Sequence, residues 1–349
     1  MKRLCRFIFL LIAAALLLSA CDLVNDTGQT EYETSGLTVY FINVGQADSA
    51  LIVCDGHAML IDGGNRGDSS LIYSFLDSRK ITHLDYVVAT HSDEDHVGGL
   101  SGALRAATVG VALCPVTESG SELFNNFVNS LSEQDVQITV PNHGDTFSLG
   151  SSEVLIVGPV GQYSDSNNTS IVLKLTYGQT SFLFTGDAER KSEQDILEAG
   201  YDISATVLKV GHHGSDTSTT YPFLREIMPQ YAVISCETGN SYGHPHEDTM
   251  SRLRDADVIV YRTDLQGTIT CVSDGTTVSF ITERNAGAVT NPSQPSVSVE
   301  EDHYIGNVKS LKFHRPSCSG LPSEKNQVIL ESRESAISGG FDPCGICKP

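Results

Sequence analysis

A cluster of metal-capable side chains directly after an apolar stretch constrains this chain more than any other feature. Four such residues fall within six positions and are followed by two glycines, namely His91, Asp93, Asp95 and His96. Residues 84–90 before them are apolar and β-branched, which predicts a buried strand. The cluster therefore lies on a loop that leaves a strand end. Imidazole nitrogens and carboxylate oxygens together suit Zn²⁺, Mn²⁺ or Fe²⁺, and a solvated polar turn is the alternative.

The cluster resembles the first metal motif of the metallo-β-lactamase superfamily, His-x-His-x-Asp-His, with Asp93 in the place of the second histidine. The variant is similar to the branch related to the extracellular domain of the competence protein ComEC. Further segments match that branch in its order, at residues 41–49, 60–64, 184–187, 209–215, 242–246 and 262–267. The resemblance implies an α/β fold, an αββα sandwich with the metal site at one edge of two sheets.

Residue periodicity independently predicts a mixed α/β domain with helices outside two sheets. Strands are predicted at residues 37–44, 50–53, 57–61, 84–90, 109–113, 154–157, 171–177, 181–185, 205–210, 232–235 and 258–261. Helices are predicted at residues 69–79, 98–107, 192–199 and 249–255. This order of elements fits a layered sandwich.

The cluster offers ligands for two metals. Alternate loop residues project to one side, so His91 and Asp93 are predicted to share one metal, and Asp95 and His96 to reach a second. Asp187 closes an apolar strand, where a carboxylate is costly. The resemblance implies that Asp187 bridges both metals, and a cap on the following helix is the alternative.

Further histidines complete the site that the resemblance implies. As in related esterases, His213 is expected to bind metal and His212 to contact the substrate or the transition state. In this branch the segment with His244 and His246 reaches the active site, as a late ligand or a phosphate contact. An exposed loop is the alternative. Asp62 either orients a ligand histidine or is a turn carboxylate.

One ligand of the family has no clear counterpart. The family usually has an isolated histidine before the bridging aspartate, and here residues 167–170 resemble the Asn-rich turn that the branch places in that area. His143 lies nearby in sequence but is predicted to occupy an exposed turn. The first metal is therefore expected to be more open or more weakly held.

These residues support metal-assisted hydrolysis. Two divalent metals, Zn²⁺ or Mn²⁺, would share a water or hydroxide and lower its pKa, and His212 with His244 or His246 would offer charge or a proton to the leaving oxygen. The favoured function is a phosphodiesterase or nuclease acting on a small-molecule or nucleic-acid phosphodiester. A lactone, β-lactam or phosphocholine-ester hydrolase, or a binding protein without turnover, are the alternatives. The net charge of −21 disfavours strong non-specific polyanion binding.

The N-terminus is a targeting segment. Residues 1–20 combine a basic start with an apolar run too short for a comfortable transmembrane span. The sequence Leu-Ser-Ala-Cys that ends at Cys21 resembles the lipobox of a bacterial lipoprotein. Lipidation of Cys21 and a flexible tether at residues 21–36 would hold the hydrolase domain, residues 37–284, at the extracellular face of the bacterial cell membrane. An uncleaved anchor or a plain secretory signal is the alternative.

The composition changes after residue 284. Residues 285–302 are rich in Ser, Pro, Val and Glu and are predicted to form a linker. Two close pairs of ligands follow within residues 303–349, His314 with Cys318 and Cys344 with Cys347. The spacing predicts one structural Zn²⁺, because so small a segment builds little core. Disulfide pairing is the alternative, but three cysteines leave one odd.

This segment resembles the metal-binding module of the Ada DNA-repair protein. In that module the first ligand is the cysteine that accepts a methyl group, and here its position holds His314. Methyl-transfer repair is therefore not expected, and a structural Cys₃His site is.

Overall fold

The computed structural model describes residues 36–292, 303–347 and 349. The predicted signal segment, Cys21 and its lipidation, and residues 293–302 of the predicted linker lie outside the described residues. In the part of the chain that is described, no helix has the length and apolar character needed to cross a bilayer.

Two β-sheets of eight and seven strands form the centre of the described structure. Their strands are β1 (Leu37–Phe41), β2 (Ala50–Cys54), β3 (His57–Ile61), β4 (His83–Val88), β5 (Thr108–Leu113), β6 (Ile138–Thr139), β7 (Thr146–Leu149), β8 (Ser152–Gly158), β9 (Val172–Tyr177), β10 (Thr180–Phe184), β11 (Val207–Lys209), β12 (Tyr231–Ile234), β13 (Ile259–Arg262), β14 (Ile269–Ser273) and β15 (Val278–Thr282). The strand order is β15-β14-β1-β2-β3-β4-β5-β6 in one sheet and β13-β12-β11-β10-β9-β8-β7 in the other.

The two sheets share one hydrophobic core. Val39 and Ile52 from the first sheet and Leu173 and Phe182 from the second are all buried in it. Burying one such side chain contributes about 1.5–3 kcal/mol, so the shared face is the main source of stability. The alternation of side chains along each strand explains why the same strands also bury an outer face.

Helices cover the outer faces of the sheets. Their bounds are α1 (Ser69–Ser78), α2 (Glu94–Val97), α3 (Leu100–Ala106), α4 (Glu122–Ser132), α5 (Arg190–Ala199), α6 (Tyr221–Ile227), α7 (Glu247–Asp255) and α8 (Thr263–Gln266). Ile196 of α5, Phe223 of α6 and Leu253 of α7 pack in a second core on the outside of the second sheet. The predicted αββα architecture is confirmed.

The predicted helix at residues 98–107 corresponds to α3, and the short helix α2 precedes it. Gly98 and Gly99 separate α2 from α3, and a Cβ atom on Gly99 would overlap the carbonyl oxygen of Gly63. The two glycines therefore let the loop that leaves β4 pass close to the loop that leaves β3. This contact fixes the metal-motif loop against the sheet.

The carboxyl ends of the parallel strands bring the predicted site residues together at one edge of the sheets. β3 and β4 run parallel in the first sheet, and β10, β11 and β12 run parallel in the second. Such strands end on the same side of their sheet. The loops that follow them carry Asp62, residues 91–96, Asp187 and residues 212–213.

The C-terminal segment forms a small sheet with its own core. It contains β16 (Tyr304–Asn307), β17 (Lys312–His314), β18 (Gln327–Leu330), β19 (Asp342–Pro343) and α9 (Arg333–Ser338). Tyr304, Phe313 and Phe341 are buried together there. Such a small core agrees with the expectation that a metal supports this segment.

Candidate metal centre

Four predicted ligands meet at one point beside the strand ends. The ligand atoms of Asp95, His96, Asp187 and His213 all lie within 4.8 Å of one another. His213 Nε2 is 3.2 Å from Asp95 Oδ2 and 3.6 Å from Asp187 Oδ2. His96 Nε2 is 3.4 Å from the other Asp187 oxygen. Asp187 is thus placed between the motif loop and the histidine pair, and it does not cap α5, whose N-cap is Glu189.

The other two motif residues form a neighbouring pair. His91 Nε2 is 3.6 Å from Asp93 Oδ2, and the His91 and His96 rings are 4.1 Å apart. The Ser166 hydroxyl donates a hydrogen bond of 2.8 Å to Asp93, and the Ser170 hydroxyl lies 3.4 Å from His91 Nδ1. The turn at residues 166–170 therefore brings hydroxyls to this side of the centre.

His143 does not approach the centre. Its Nδ1 lies 2.9 Å from the Tyr201 hydroxyl on the exposed surface. The exposed turn predicted from the sequence is therefore what the structure has.

Buried atoms without partners show that this cluster fits metal ions. Within the described residues, no hydrogen bond reaches the buried atoms His91 Nε2, His96 Nε2, His213 Nε2 and Asp187 Oδ1. Leaving such polar atoms unpaired is costly, and a cation that accepts their lone pairs removes the cost. Imidazoles and carboxylates in this mixture suit Zn²⁺ or Mn²⁺. The metal identity and each ligand role stay predictions.

Asp62 orients one of the two buried histidines of the motif, His96. Its Oδ2 lies 2.9 Å from His96 Nδ1, which turns His96 Nε2 towards Asp187. The backbone N–H and the hydroxyl of Thr90 both donate to the Asp62 carboxylate at 2.8 Å. Of the two interpretations of Asp62, the structure agrees with the one in which it positions a ligand histidine.

Sequence reasoning missed a buried ion pair behind the centre. Lys209 Nζ donates to Asp48 Oδ2 at 2.8 Å, and the other Asp48 oxygen lies 3.4 Å from His213 Nδ1. Although burial opposes ionisation, Lys209 and then His213 hold the pKa of Asp48 well below its usual range. The signal was a lysine inside the apolar residues 205–210, because lysine is rarely buried without a partner.

The two adjacent histidines divide between the interior and the surface. The His213 side chain is 2% exposed, and its Nδ1 lies 3.1 Å from the Ser235 carbonyl oxygen. The His212 side chain is 22% exposed, with Nδ1 3.3 Å from Glu189 and Nε2 3.7 Å from Asp187. Both residues have left-handed backbone angles, with φ values of 53° and 48°. A substrate can therefore reach His212 more easily than His213.

His244 reaches the centre from the loop after β12. The Gln46 side-chain amide donates to His244 Nδ1 at 3.2 Å. The His244 ring lies 5.5 Å from the His212 ring and stacks on Tyr242 at 5.6 Å. Burial, and then the positive charge of neighbouring imidazoles, lower the pKa of His244 to about 4. His244 is therefore neutral near pH 7, with Nε2–H as its donor.

His246 has both ring nitrogens engaged within its own surroundings. The Asp216 backbone N–H donates to His246 Nδ1, and His246 Nε2 donates to the Tyr242 carbonyl oxygen, both at 3.0 Å. This geometry makes His246 a support for the loop that carries His244. Its predicted catalytic role is untested, and of the pair His244 is the better placed.

Protons and metal ions compete for the imidazoles of the centre, so metal affinity is expected to depend on pH. Burial opposes the charged imidazoles, but Asp187 and then Asp62 raise the pKa of His96 well above its usual range, and Asp187 with Asp48 raise the pKa of His213 to about 10. Both rings therefore hold protons at pH 7 until a metal displaces them. We expect metal affinity to rise with pH, with release of about one to two protons. Calorimetry in two buffers of different ionisation enthalpy counts them, and a pH-independent affinity between pH 6 and pH 8 would contradict the prediction.

The C-terminal cluster brings the four predicted zinc ligands together. The ligand atoms of His314, Cys318, Cys344 and Cys347 lie within 4.8 Å of one another. Cys318 Sγ and Cys344 Sγ are 4.0 Å apart, close to the roughly 3.8 Å expected between sulfurs on one Zn²⁺. Neither ring nitrogen of His314 has a hydrogen-bond partner among the described residues. These residues fit the predicted zinc, whose identity stays a prediction.

Comparison with known families agrees with this fold. Residues 42–238 match the model described as the metallo-beta-lactamase superfamily, and the chain belongs to that superfamily. The protein is 30% identical over 250 residues to ComE operon protein 3 of Bacillus subtilis, covering 66% of this chain and 32% of that protein. It is 31% identical over 234 residues to Recombination protein 2 of Haemophilus influenzae, covering 65% and 28%.

These relatives indicate the branch of the superfamily. The chain is similar to ComEC/Rec2-like proteins, and it spans about a third of the length of the curated relatives it matches. Among solved structures, the metallo-beta-lactamase fold protein YhfI of Bacillus subtilis is 11% identical. It covers 71% of this chain and 100% of its own, with a TM-score of 0.45.

Proposed function

We propose that this chain is a metal-dependent phosphodiesterase or nuclease, held at the extracellular face of a bacterial membrane through a lipidated Cys21. One observation carries the enzymatic part, namely the convergence of Asp95, His96, Asp187 and His213 with unpartnered buried atoms beside an accessible His212. A binding module without turnover has no need for such a set.

The residues around the centre have distinct tasks in this proposal. When bound, two divalent ions lower the pKa of a coordinated water and neutralise charge that develops on a phosphoryl oxygen. Asp187 lies between His96 of the motif loop and His213 of the histidine pair, and it fixes the distance between these two ligands. Glu189 orients His212 through Nδ1, which leaves Nε2 to pass a proton to the leaving oxygen. His244 offers a neutral Nε2–H to a substrate oxygen.

The carboxylate-rich ligand set and the names of the relatives favour a phosphodiester as the substrate. Asp93, Asp95 and Asp187 make the donor set rich in carboxylates, which favours metals such as Mn²⁺ that bind phosphate oxygens. Among the relatives, Competence protein ComA of Neisseria gonorrhoeae is named for competence and Recombination protein 2 for recombination. The net charge of −21 opposes tight binding of a whole polyanion, so the site is expected to engage one phosphodiester at a time.

The anchoring part rests on the sequence Leu-Ser-Ala-Cys at the predicted lipobox. Separation of cells into membrane and medium fractions, with mass spectrometry of the peptide that contains Cys21, tests it. Unmodified Cys21 in protein recovered from the medium would overturn this part alone.

Hydrolysis by the mature chain from residue 22 onward tests the enzymatic part. We expect cleavage of bis-p-nitrophenyl phosphate and of single-stranded DNA with added Mn²⁺ or Zn²⁺ and none in the metal-free protein. His212→Gln is expected to lower the cleavage rate by roughly 10²-fold, the usual contribution of a general acid. His143→Gln, the same change at an exposed histidine away from the centre, is the matched control and should leave the rate unchanged.

One outcome would overturn the proposal. A folded, metal-loaded protein that cleaves neither phosphodiester excludes this function. Turnover of a carboxyl ester, lactone or β-lactam by the same preparation would then identify the substrate class.

A further inference from the structure

The loop at residues 215–220 holds the outward-facing groups of the candidate centre in place. It follows the histidine pair directly, and its Asp216 N–H binds His246 Nδ1. The Thr217 hydroxyl donates to Glu189 at 3.0 Å and lies 3.4 Å from His212 Nδ1. The position of this loop therefore sets the position of His212 and its carboxylate partner.

A buried arginine clamps the loop from behind. Arg252 of α7 is fully buried and donates to three loop carbonyl oxygens, those of Asp216, Ser218 and Thr219, at 2.9, 2.6 and 3.1 Å. A buried guanidinium needs a nearby anion, because an uncompensated charge in the interior is costly.

The anion is supplied by the C-terminal segment. Asp342 of β19 is fully buried, and its Oδ2 lies 3.3 Å from Arg252 Nη2. The same oxygen also accepts from Arg190 of α5. One carboxylate of the small module therefore compensates two arginines of the hydrolase domain.

A lysine beside Asp342 reaches the loop directly. Lys312 of β17 binds Asp216 at 2.9 Å and Asp248 at 2.6 Å. Lys312 and Asp342 are opposite one another on neighbouring strands. Lys312 lies two residues before His314, and Asp342 lies two residues before Cys344, so the strands that present the charged pair also present the metal ligands.

We infer that Asp342 and Lys312 are positioning residues of the hydrolase centre, and that the C-terminal metal module is a structural part of that centre. The module, which the sequence suggests is an appendage on a linker, completes the support of the loop at residues 215–220. The inference rests on the proposed hydrolase activity only for its kinetic readout and is independent of the substrate.

Asp342→Asn in the mature chain tests the inference, because asparagine keeps the shape and removes the charge. We expect amide hydrogen exchange at residues 215–220 to become faster by about tenfold or more. We expect kcat to fall by about 10–100-fold with KM changed less than about twofold, as for other groups that orient a metal site from outside. The metal content of the hydrolase centre should stay the same.

Arg333→Gln is the matched control. Arg333 of α9 binds Asp255 of α7 at 2.6 Å and so also joins the module to the hydrolase domain, but it does not touch the loop. Its loss should leave both the exchange of residues 215–220 and kcat unchanged. Lys312→Gln, a change at a partly exposed side chain, is the second variant if Asp342→Asn does not fold, and it should accelerate exchange at Asp216 in the same direction.

Two results would overturn the inference. One is unchanged exchange at residues 215–220 in Asp342→Asn or, if that variant does not fold, in Lys312→Gln. The other is an equal change in Arg333→Gln. The exchange measurement needs no substrate, so it still decides the question if phosphodiester hydrolysis is absent.

Discussion

Replacing Asp187 with asparagine is expected to lower metal-dependent hydrolysis by roughly 10³-fold, the scale of losing a group aimed at developing charge. Asp187 is buried and lies within 3.4–3.7 Å of the ring nitrogens of His96, His212 and His213. The amide keeps the size but removes the negative charge that both metals would share. Initial rates at saturating Mn²⁺, together with metal content by mass spectrometry, measure the effect.

Asp202→Asn is the control for this variant. Asp202 makes an ion pair with Lys174 of β9, but its side chain is largely exposed, so the same chemical change there should leave the rate and the metal content unaltered. If Asp187→Asn retains both metals and most of the rate, Asp187 does not bridge them.

Replacing Lys209 with methionine is expected to cost about 3–5 kcal/mol in the free energy of unfolding, because it removes the cation that donates to the buried Asp48 carboxylate. Both side chains of this pair are nearly inaccessible to solvent. Urea denaturation of the metal-free protein at pH 7 measures the loss. The metal-free form is used because bound metal would add its own stabilisation.

A double variant separates the lost charge from the lost packing. Lys209→Met combined with Asp48→Asn removes both charges and should recover more than half of the lost stability, since a neutral pair needs no counter-ion. Lys174→Met is the matched control, because its partner Asp202 is solvated. This change should lower the free energy of unfolding by only about 0–1 kcal/mol, as for the loss of a surface ion pair. Equal costs for the two lysines would contradict the prediction.

Local patterns in the sequence account for most of the sandwich. The apolar run at residues 57–61 predicts the same bounds as β3, and the helical spacing at residues 69–79 predicts α1 to within one residue. In both segments neighbouring residues alone determine which side is apolar.

Two of the helices that were not predicted, α4 and α6, escaped prediction for different reasons. In α4 (Glu122–Ser132) the pattern of Leu123, Phe127 and Leu131 is helical, but asparagine and serine between them have low helix propensity. α6 (Tyr221–Ile227) is only seven residues long, too short to show a period. Tertiary packing of their apolar sides stabilises both helices.

The candidate centre was predictable where its residues are close in sequence. The motif at residues 91–96 and the pair at residues 212–213 can each be recognised from the close spacing of their ligand-type residues. Asp48 and Lys209 are separated by 161 positions, so their pairing appears only after the two sheets come together. The docking of Asp342 onto Arg252, 90 positions apart, is hidden for the same reason.

The left-handed backbone of His212 and His213 has a consequence for how this protein can change. Side chains with a Cβ atom pay roughly 1–2 kcal/mol in that conformation, whereas glycine does not. Selection for stability alone would therefore favour glycine at both positions, and the two histidine side chains would be lost. Retaining two histidines there means that the rest of the domain must hold a stability reserve, and a thermostable relative is expected to have gained it elsewhere.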